Sequence, residues 1–167
     1  MDVLRAAWRA EYINTPRGEN IQERCIFCEY PKEEKDLENL LLVRGKTAFV
    51  MMNRYPYSSG HLMVIPYRHT NDFVSLTPEE SLELIRLAQC ATEAMKQALR
   101  PDGYNMGINL GKVAGAGIDA HLHLHVVPRW NGDTNFMSVT AETKVLPEAL
   151  SATYERLAHA WRTTQHP

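Results

Sequence analysis

The segment His121-Leu122-His123-Leu124-His125-Val126-Val127-Pro128-Arg129-Trp130 concentrates chemistry that no fold requires. In an extended chain, successive side chains point to opposite faces. Leu122, Leu124 and Val126 then turn toward a core, while His121, His123 and His125 share the other side. Residues two apart on one strand face are close enough for three imidazoles to surround a single small group. Imidazole serves near neutral pH as nucleophile, proton donor or metal ligand. A half-exposed strand carrying one or two histidines is ordinary, but three of the chain's seven in strict alternation point to a site. A phosphorus centre suits such a site, because a phosphoryl group on imidazole keeps a high-energy bond that an acceptor can break, and neighbouring rings can stabilise the phosphate oxygens. His123, flanked on both sides, is the natural nucleophile and His125 the donor to the phosphate or leaving group.

The elements that must hold these rings are readable from pattern. Leu4, Ala7 and Trp8 suggest a short amphipathic helix from Val3 to about Ile13, followed by a loop at Pro16-Arg17-Gly18. Leu40 to Val43, a turn at Arg44-Gly45-Lys46, and Thr47 to Asn53 read as an antiparallel hairpin, with His61 to Ile65 as a third strand. Thr77-Pro78-Glu79-Glu80 is a strong helix start, with Thr as N-cap, Pro in the first position and Glu three residues after the cap. Leu84, Leu87, Ala88, Ala91, Met95 and Ala98 form its apolar stripe until Pro101-Asp102-Gly103, and Cys90 reads as a small packed side chain on that helix. Tyr104 to Asn109 and His121 to Arg129 read as the fourth and fifth strands. Between them the glycine-rich stretch Gly111 to Gly117 is too flexible for regular structure, and at Gly115 and Gly117 it can turn N–H groups to an anion. Asn131-Gly132-Asp133 is a turn, and Leu150, Tyr154, Leu157, Ala158 and Trp161 mark a last helix. This order favours an α+β fold on an antiparallel sheet.

A chain of 167 residues makes one domain, here 21–167 behind an N-terminal extension over 1–20. A net charge of −2 with scattered Lys and Arg argues against nucleic acid as a partner and leaves a nucleotide-sized ligand open. The longest apolar runs, such as Phe49 to Met52, fall far short of the roughly 20 residues of a membrane span. Charges at Asp2, Arg5, Arg9 and Glu11 interrupt any secretion signal, so a cytoplasmic location is expected. Cys25-Ile26-Phe27-Cys28 is a redox pair, a buried apolar pair or half of a zinc site, and the charged run from Lys32 to Asp36 reads as a solvated linker.

The alternating His121 to Val127 stretch resembles the signature of the histidine triad superfamily. The resemblance extends through Asn53-Arg54-Tyr55-Pro56, the run Ser59 to Pro66, and Arg68-His69. Pro128 to Met137 and Lys144-Val145-Leu146-Pro147 resemble the prokaryotic branch related to fragile-histidine-triad hydrolases and diadenosine tetraphosphate phosphorylases. That resemblance implies a five-stranded antiparallel sheet continued across a homodimer, and cleavage of dinucleoside polyphosphates at the α-phosphate through a nucleotidyl-histidine. By the same resemblance His123 matches the nucleophile, His61 the histidine that supports its ring, Asn53 a ribose-binding residue, Met51 and Met63 the apolar residues flanking the base, and Asn109 a phosphate-side amide. Zinc-bearing members imply that Cys25 and Cys28 are completed by His69 and His121 as a Cys2His2 structural zinc site.

Eukaryotic hydrolases of the superfamily carry Gln-Ser or Gln-Thr shortly before the triad, where this chain has Gly117-Ile118. The departure leaves the acceptor open between water and inorganic phosphate, with phosphorolysis favoured. Two other functions compete with an enzyme. One is a nucleotide-binding sensor with vestigial catalysis, which would not need a complete triad. The other is a zinc-stabilised interaction domain whose histidines are structural.

Overall fold

The computed structural model describes residues 25–133 and 148–165. The helix expected at Val3 to Ile13, the extension over 1–20 and the motif residues 134–137 and 144–147 lie outside them. Helix α1 (Ile26–Glu29) runs into a 3-10 turn (Tyr30–Lys32), and helix α2 (Asp36–Asn39) follows. Strands β1 (Leu41–Arg44), β2 (Ala48–Met52) and β3 (Leu62–Pro66) lead to the long helix α3 (Pro78–Leu99). Strands β4 (Gly103–Ile108) and β5 (Leu124–Arg129) and helix α4 (Leu150–Gln165) complete the order. One five-stranded sheet results, in the order β1-β2-β3-β5-β4 with every pair antiparallel, so the α+β reading holds.

Helix α3 starts as its sequence dictates. Thr77 caps the Glu80 N–H while the Glu80 carboxylate reaches back to the Thr77 N–H, and the helix closes at Arg100 in the left-handed region just before Pro101. Its stripe of Leu84, Ala88, Ala91 and Met95 is buried, with Leu87, Cys90 and Ala98 packed at the edge. Ala94 is buried as well, and Leu157, Ala160 and Trp161 of α4 join the same core.

Period-two alternation gives the sheet two different faces. Ala48, Val50, Met52, Leu62, Val64, Leu124 and Val126 meet the helices α3 and α4. Phe49, Met51, Met63 and Ile65 point the other way and are covered by Phe27 of α1. Met63 pairs with His125 across the β3–β5 ladder, which puts the histidines on this second face.

Three expectations change. The fifth strand begins at Leu124, so His121 and His123 lie in the approach to it, tied down where Leu122 N–H donates to Thr70 O (2.7 Å). The run from Lys32 to Asp36 is a fastened corner and not a linker. Arg44 holds the Asp36 carboxylate (2.6 Å) and the carbonyls of Pro31 (2.5 Å) and Glu33 (3.2 Å), satisfying backbone acceptors that the bend leaves open. The glycine-rich stretch contains a 3-10 turn at Lys112–Ala114, made by left-handed Gly115 closing onto the Lys112 carbonyl.

Candidate active site and metal centre

Two sites lie back to back on the histidine face. The first gathers Cys25 and Cys28 from the start of α1, His69 from the loop after β3, and His121, with one ligand atom of each lying within 4.8 Å of the others. The Nδ1 of His121 is 3.3 Å from Cys25 Sγ, 3.5 Å from Cys28 Sγ and 3.2 Å from His69 Nδ1, and Cys28 Sγ is 3.3 Å from His69 Nδ1. Tetrahedral zinc with bonds of about 2.0–2.3 Å holds its ligands roughly 3.3–3.8 Å apart, close to the four separations just given. The donor set fits too. His121 Nε2 lies 2.8 Å from the Pro66 carbonyl, which only accepts, so the ring's proton sits on Nε2 and its lone pair is on Nδ1, inside the cluster. Burial pushes the His121 pKa down to about 4 and, with Cys25 beside it, the Cys28 thiol up to about 11. A divalent cation among the four reverses that penalty on the thiolates. His121 therefore leaves the trio that alternation suggests. Its ring turns to the sulfurs because the Pro66 carbonyl holds its far edge.

The second site follows from hydrogen bonds that fix three tautomers. Tyr57 N–H donates to His61 Nδ1 (3.1 Å), and Asn53 Nδ2 stands 3.4 Å from the same nitrogen. An accepting ring nitrogen bears no proton, so neutral His61 carries its hydrogen on Nε2 and donates it to His125 Nδ1 at 2.9 Å. His125 in turn is protonated on Nε2. His123 is the mirror case, because its Nδ1 lies 2.8 Å from the His121 carbonyl and donates to it, leaving the lone pair on Nε2. The two rings stand edge to face with centroids 4.7 Å apart, and Phe27 packs against His123 at 5.2 Å. Burial lowers the His123 pKa and keeps its lone pair available at neutral pH. A nucleophilic nitrogen beside a hydrogen-bond donor is the equipment for displacement at phosphorus.

The resemblance had His61 supporting His123, but the structure puts it on His125. The reason is strand order, since His61 immediately precedes β3, which pairs directly with β5 through Leu62–Val126 and Met63–His125. The loop ahead of His61 is clamped by Ser58 Oγ–H on the Pro128 carbonyl (2.5 Å) and by Gly60 in the left-handed region, where a Cβ would run into Leu99 Cδ1.

A cavity of about 460 Å³ opens beside His125, lined by Tyr57, Asn105, Met106, Gly107, Asn109, Val127, Arg129 and Asp133 as well. His123 is not a lining residue and keeps 5% exposure. Of the expected binding residues, Asn109 lines the cavity and Asn53 sits at His61, its Oδ1 accepting from Tyr55 N–H (2.9 Å). Met51 and Met63 are buried in the core under the histidines, and Gly115 and Gly117 do not line the cavity. Tyr57, Asn105, Gly107 and Arg129 escaped the sequence reading. The period-two pattern that picks out His125 extends to Val127 and Arg129, and to Asn105, Gly107 and Asn109, and could have found all but Tyr57.

The HIT domain family model matches residues 34–132, a span that holds His61, His69 and the whole triad. The chain belongs to the HIT domain family. Cys25 and Cys28 lie ahead of that span, so the Cys2His2 cluster joins residues inside and outside the HIT match. The chain is 45% identical over 135 residues to AP-4-A phosphorylase of Mycobacterium tuberculosis, covering 81% of this chain and 69% of that protein. It is 27% identical over 134 residues to adenosine 5'-monophosphoramidase hnt1 of Schizosaccharomyces pombe, covering 80% of this chain and 96% of that one. Among solved structures, a Zn-bound histidine triad family protein from Mycobacterium smegmatis superposes with a TM-score of 0.68 at 26% identity, over 86% of this chain and 96% of that chain.

Proposed function

We propose that this HIT protein is an enzyme that transfers an adenylyl group from a diadenosine polyphosphate, of the diadenosine tetraphosphate type, to inorganic phosphate through a covalent AMP–His123 intermediate. The observation that carries the reading is the adjacency of His123 and His125, with ring centroids 4.7 Å apart and hydrogen bonds that leave the lone pair on His123 Nε2 and the proton on His125 Nε2. His123 Nε2 attacks the α-phosphorus as the P–O bond to the leaving nucleotide breaks. The new imidazolium keeps its Nδ1–H on the His121 carbonyl. His125 Nε2–H donates to the oxygen on which charge develops, and His61 holds it in that tautomer. Phosphate next attacks the same phosphorus. The P–N bond breaks, its electron pair returns to Nε2, ADP leaves, and the proton of the phosphate passes to solvent. The 45% identity to a phosphorylase supports phosphate over water as acceptor.

Zinc is the ion proposed for Cys25, Cys28, His69 and His121, supported by ligand spacing and by the Zn-bound relative. Bound there it supplies structural cross-linking. The chain's own His121 would then serve twice, through its ring to the metal and through its carbonyl to His123. A homodimer is proposed as the working form, supported by β4, which is an edge strand of the sheet, and its proposed location is the cytoplasm.

Product analysis from diadenosine tetraphosphate tests the activity. ADP plus ATP in the presence of phosphate supports phosphorolysis, AMP plus ATP identifies a hydrolase, and turnover by His123→Ala at the wild-type rate sinks the nucleophile assignment.

A further inference from the structure

We infer that Asn105 and Arg129 form a second phosphate-binding subsite in the same cavity, taking the part of the polyphosphate chain that lies beyond the scissile bond. The inference rests on the reading of the cavity as a dinucleotide site. Its basis is the register of β4 on β5. His125, Val127 and Arg129 share one face of β5, and their partners across the ladder are Gly107, Asn105 and Gly103. Cross-strand partners point the same way, so Asn105 and Arg129 stand on the His125 side, and both line the cavity with it. Four residues of strand separate His125 from Arg129, roughly 13 Å of backbone. One phosphate does not cover that span, whereas a chain of several does.

The hydrogen bonds within this end of the cavity leave donors facing a ligand. Arg129 meets the Asp133 carboxylate with Nε (2.5 Å) and Nη2 (2.9 Å), and its Nη1 donates to Asn105 Oδ1 (2.7 Å). A guanidinium has five N–H groups, so these three bonds leave one on each terminal nitrogen. With Asn105 Oδ1 engaged by Arg129, the amide orientation is settled and its Nδ2 presents hydrogens only. The Asp133 oxygens are committed to Arg129 and to Trp130 N–H (3.3 Å). What remains is a set of oriented donors whose positive charge is balanced by Asp133. That set suits the non-bridging oxygens of a phosphate chain better than it suits a cation or an apolar ring.

The test compares dinucleotide with mononucleotide, using Arg129→Gln and Asn105→Leu. The second variant leaves the Arg129–Asp133 pair intact and guards against a folding defect at the end of β5. Equilibrium binding of diadenosine tetraphosphate and of AMP is measured calorimetrically with each variant placed in a His123→Ala background, where no covalent intermediate forms, alongside the His123→Ala protein as reference. Each variant is expected to weaken the tetraphosphate by 10-fold or more while AMP changes less than two-fold, and to lose discrimination between tetra- and triphosphate in KM. Equal losses for AMP and the dinucleotide, or no loss for either, overturn the subsite. A wild-type chain that binds neither ligand overturns the nucleotide reading and the subsite together, a result distinct from unaltered variants of a binding-competent protein.

Discussion

Gly107 offers a way to separate the fold from the site. It lies opposite His125 in the β4–β5 ladder, lines the cavity, and a Cβ built on it meets nothing within 4 Å. Its backbone is not among those with positive φ, so a β-branched residue is compatible with the strand. Glycine inside a strand costs roughly 0.5–1 kcal/mol relative to alanine. Gly107→Val is therefore expected to leave stability unchanged or raise it by up to about 1 kcal/mol. Its added carbons enter the cavity beside the His125 ring, where substrate phosphate would lie. Displacing a reacting group by about 1 Å costs on the order of 100-fold in rate, equivalent to about 2.7 kcal/mol of lost transition-state stabilisation. Release of ATP from diadenosine tetraphosphate in the presence of phosphate gives kcat/KM, and a urea melt on the same sample gives stability. A 100-fold fall in kcat/KM with an unchanged melt is the expected result, with Gly107→Ala between. Activity within two-fold of wild type would mean that substrate does not occupy this face. A parallel fall in stability would make Gly107 a packing residue and remove the reasoning.

Elemental analysis should find about one zinc per chain. Replacing both Cys25 and Cys28 with Ser should abolish it and cost several kcal/mol in thermal or urea melts, a part of the roughly 10–16 kcal/mol with which structural zinc binds small peptides. Glu83 of α3 accepts from Lys46 N–H (2.7 Å), Ala48 N–H (3.1 Å) and both the N–H and hydroxyl of Thr47, closing the β1–β2 turn. Burial alone would raise its pKa, but those bonds outweigh it and hold the carboxyl below the ordinary range. Glu83→Gln should destabilise by about 1–3 kcal/mol by urea denaturation, since neutral acceptors replace charge-assisted ones. Glu80 is held at a pKa of about 2, first by the Arg68 guanidinium (2.7 Å), against the opposing effect of burial, and further by the Thr77 N–H. A depressed folded-state pKa gives stability that is complete above the ordinary glutamate value and disappears as pH falls toward about 2. Glu80→Gln should thus cost about 1–2 kcal/mol at pH 7, reduced because Arg68 is half-exposed. Melts should show the gap to wild type closing between about pH 4.5 and pH 2, and a gap that stays constant with pH would contradict the ion-pair account.

Much of this protein is written locally. The Thr77–Glu80 capping box and the 3.6-residue stripe after it dictate α3 within a residue or two of its observed ends, because caps and helical faces involve groups only a few residues apart. Alternation over Leu122 to Val126 likewise fixes which side chains go to the core, since every strand obeys the same period of two. Resemblance supplied the four candidate metal ligands, and the fold brings them together across gaps of 41 to 96 residues. What the sequence could not determine is which imidazole serves which partner. The Pro66 carbonyl fixes the proton on His121, His61 meets His125 in place of His123, and Arg129 meets Asn105 across the ladder. Periodicity assigns a side chain to a face. The order β3-β5-β4, which only the assembled sheet decides, assigns it a neighbour, and for His61 and His125 that neighbour fixes the proton on the ring.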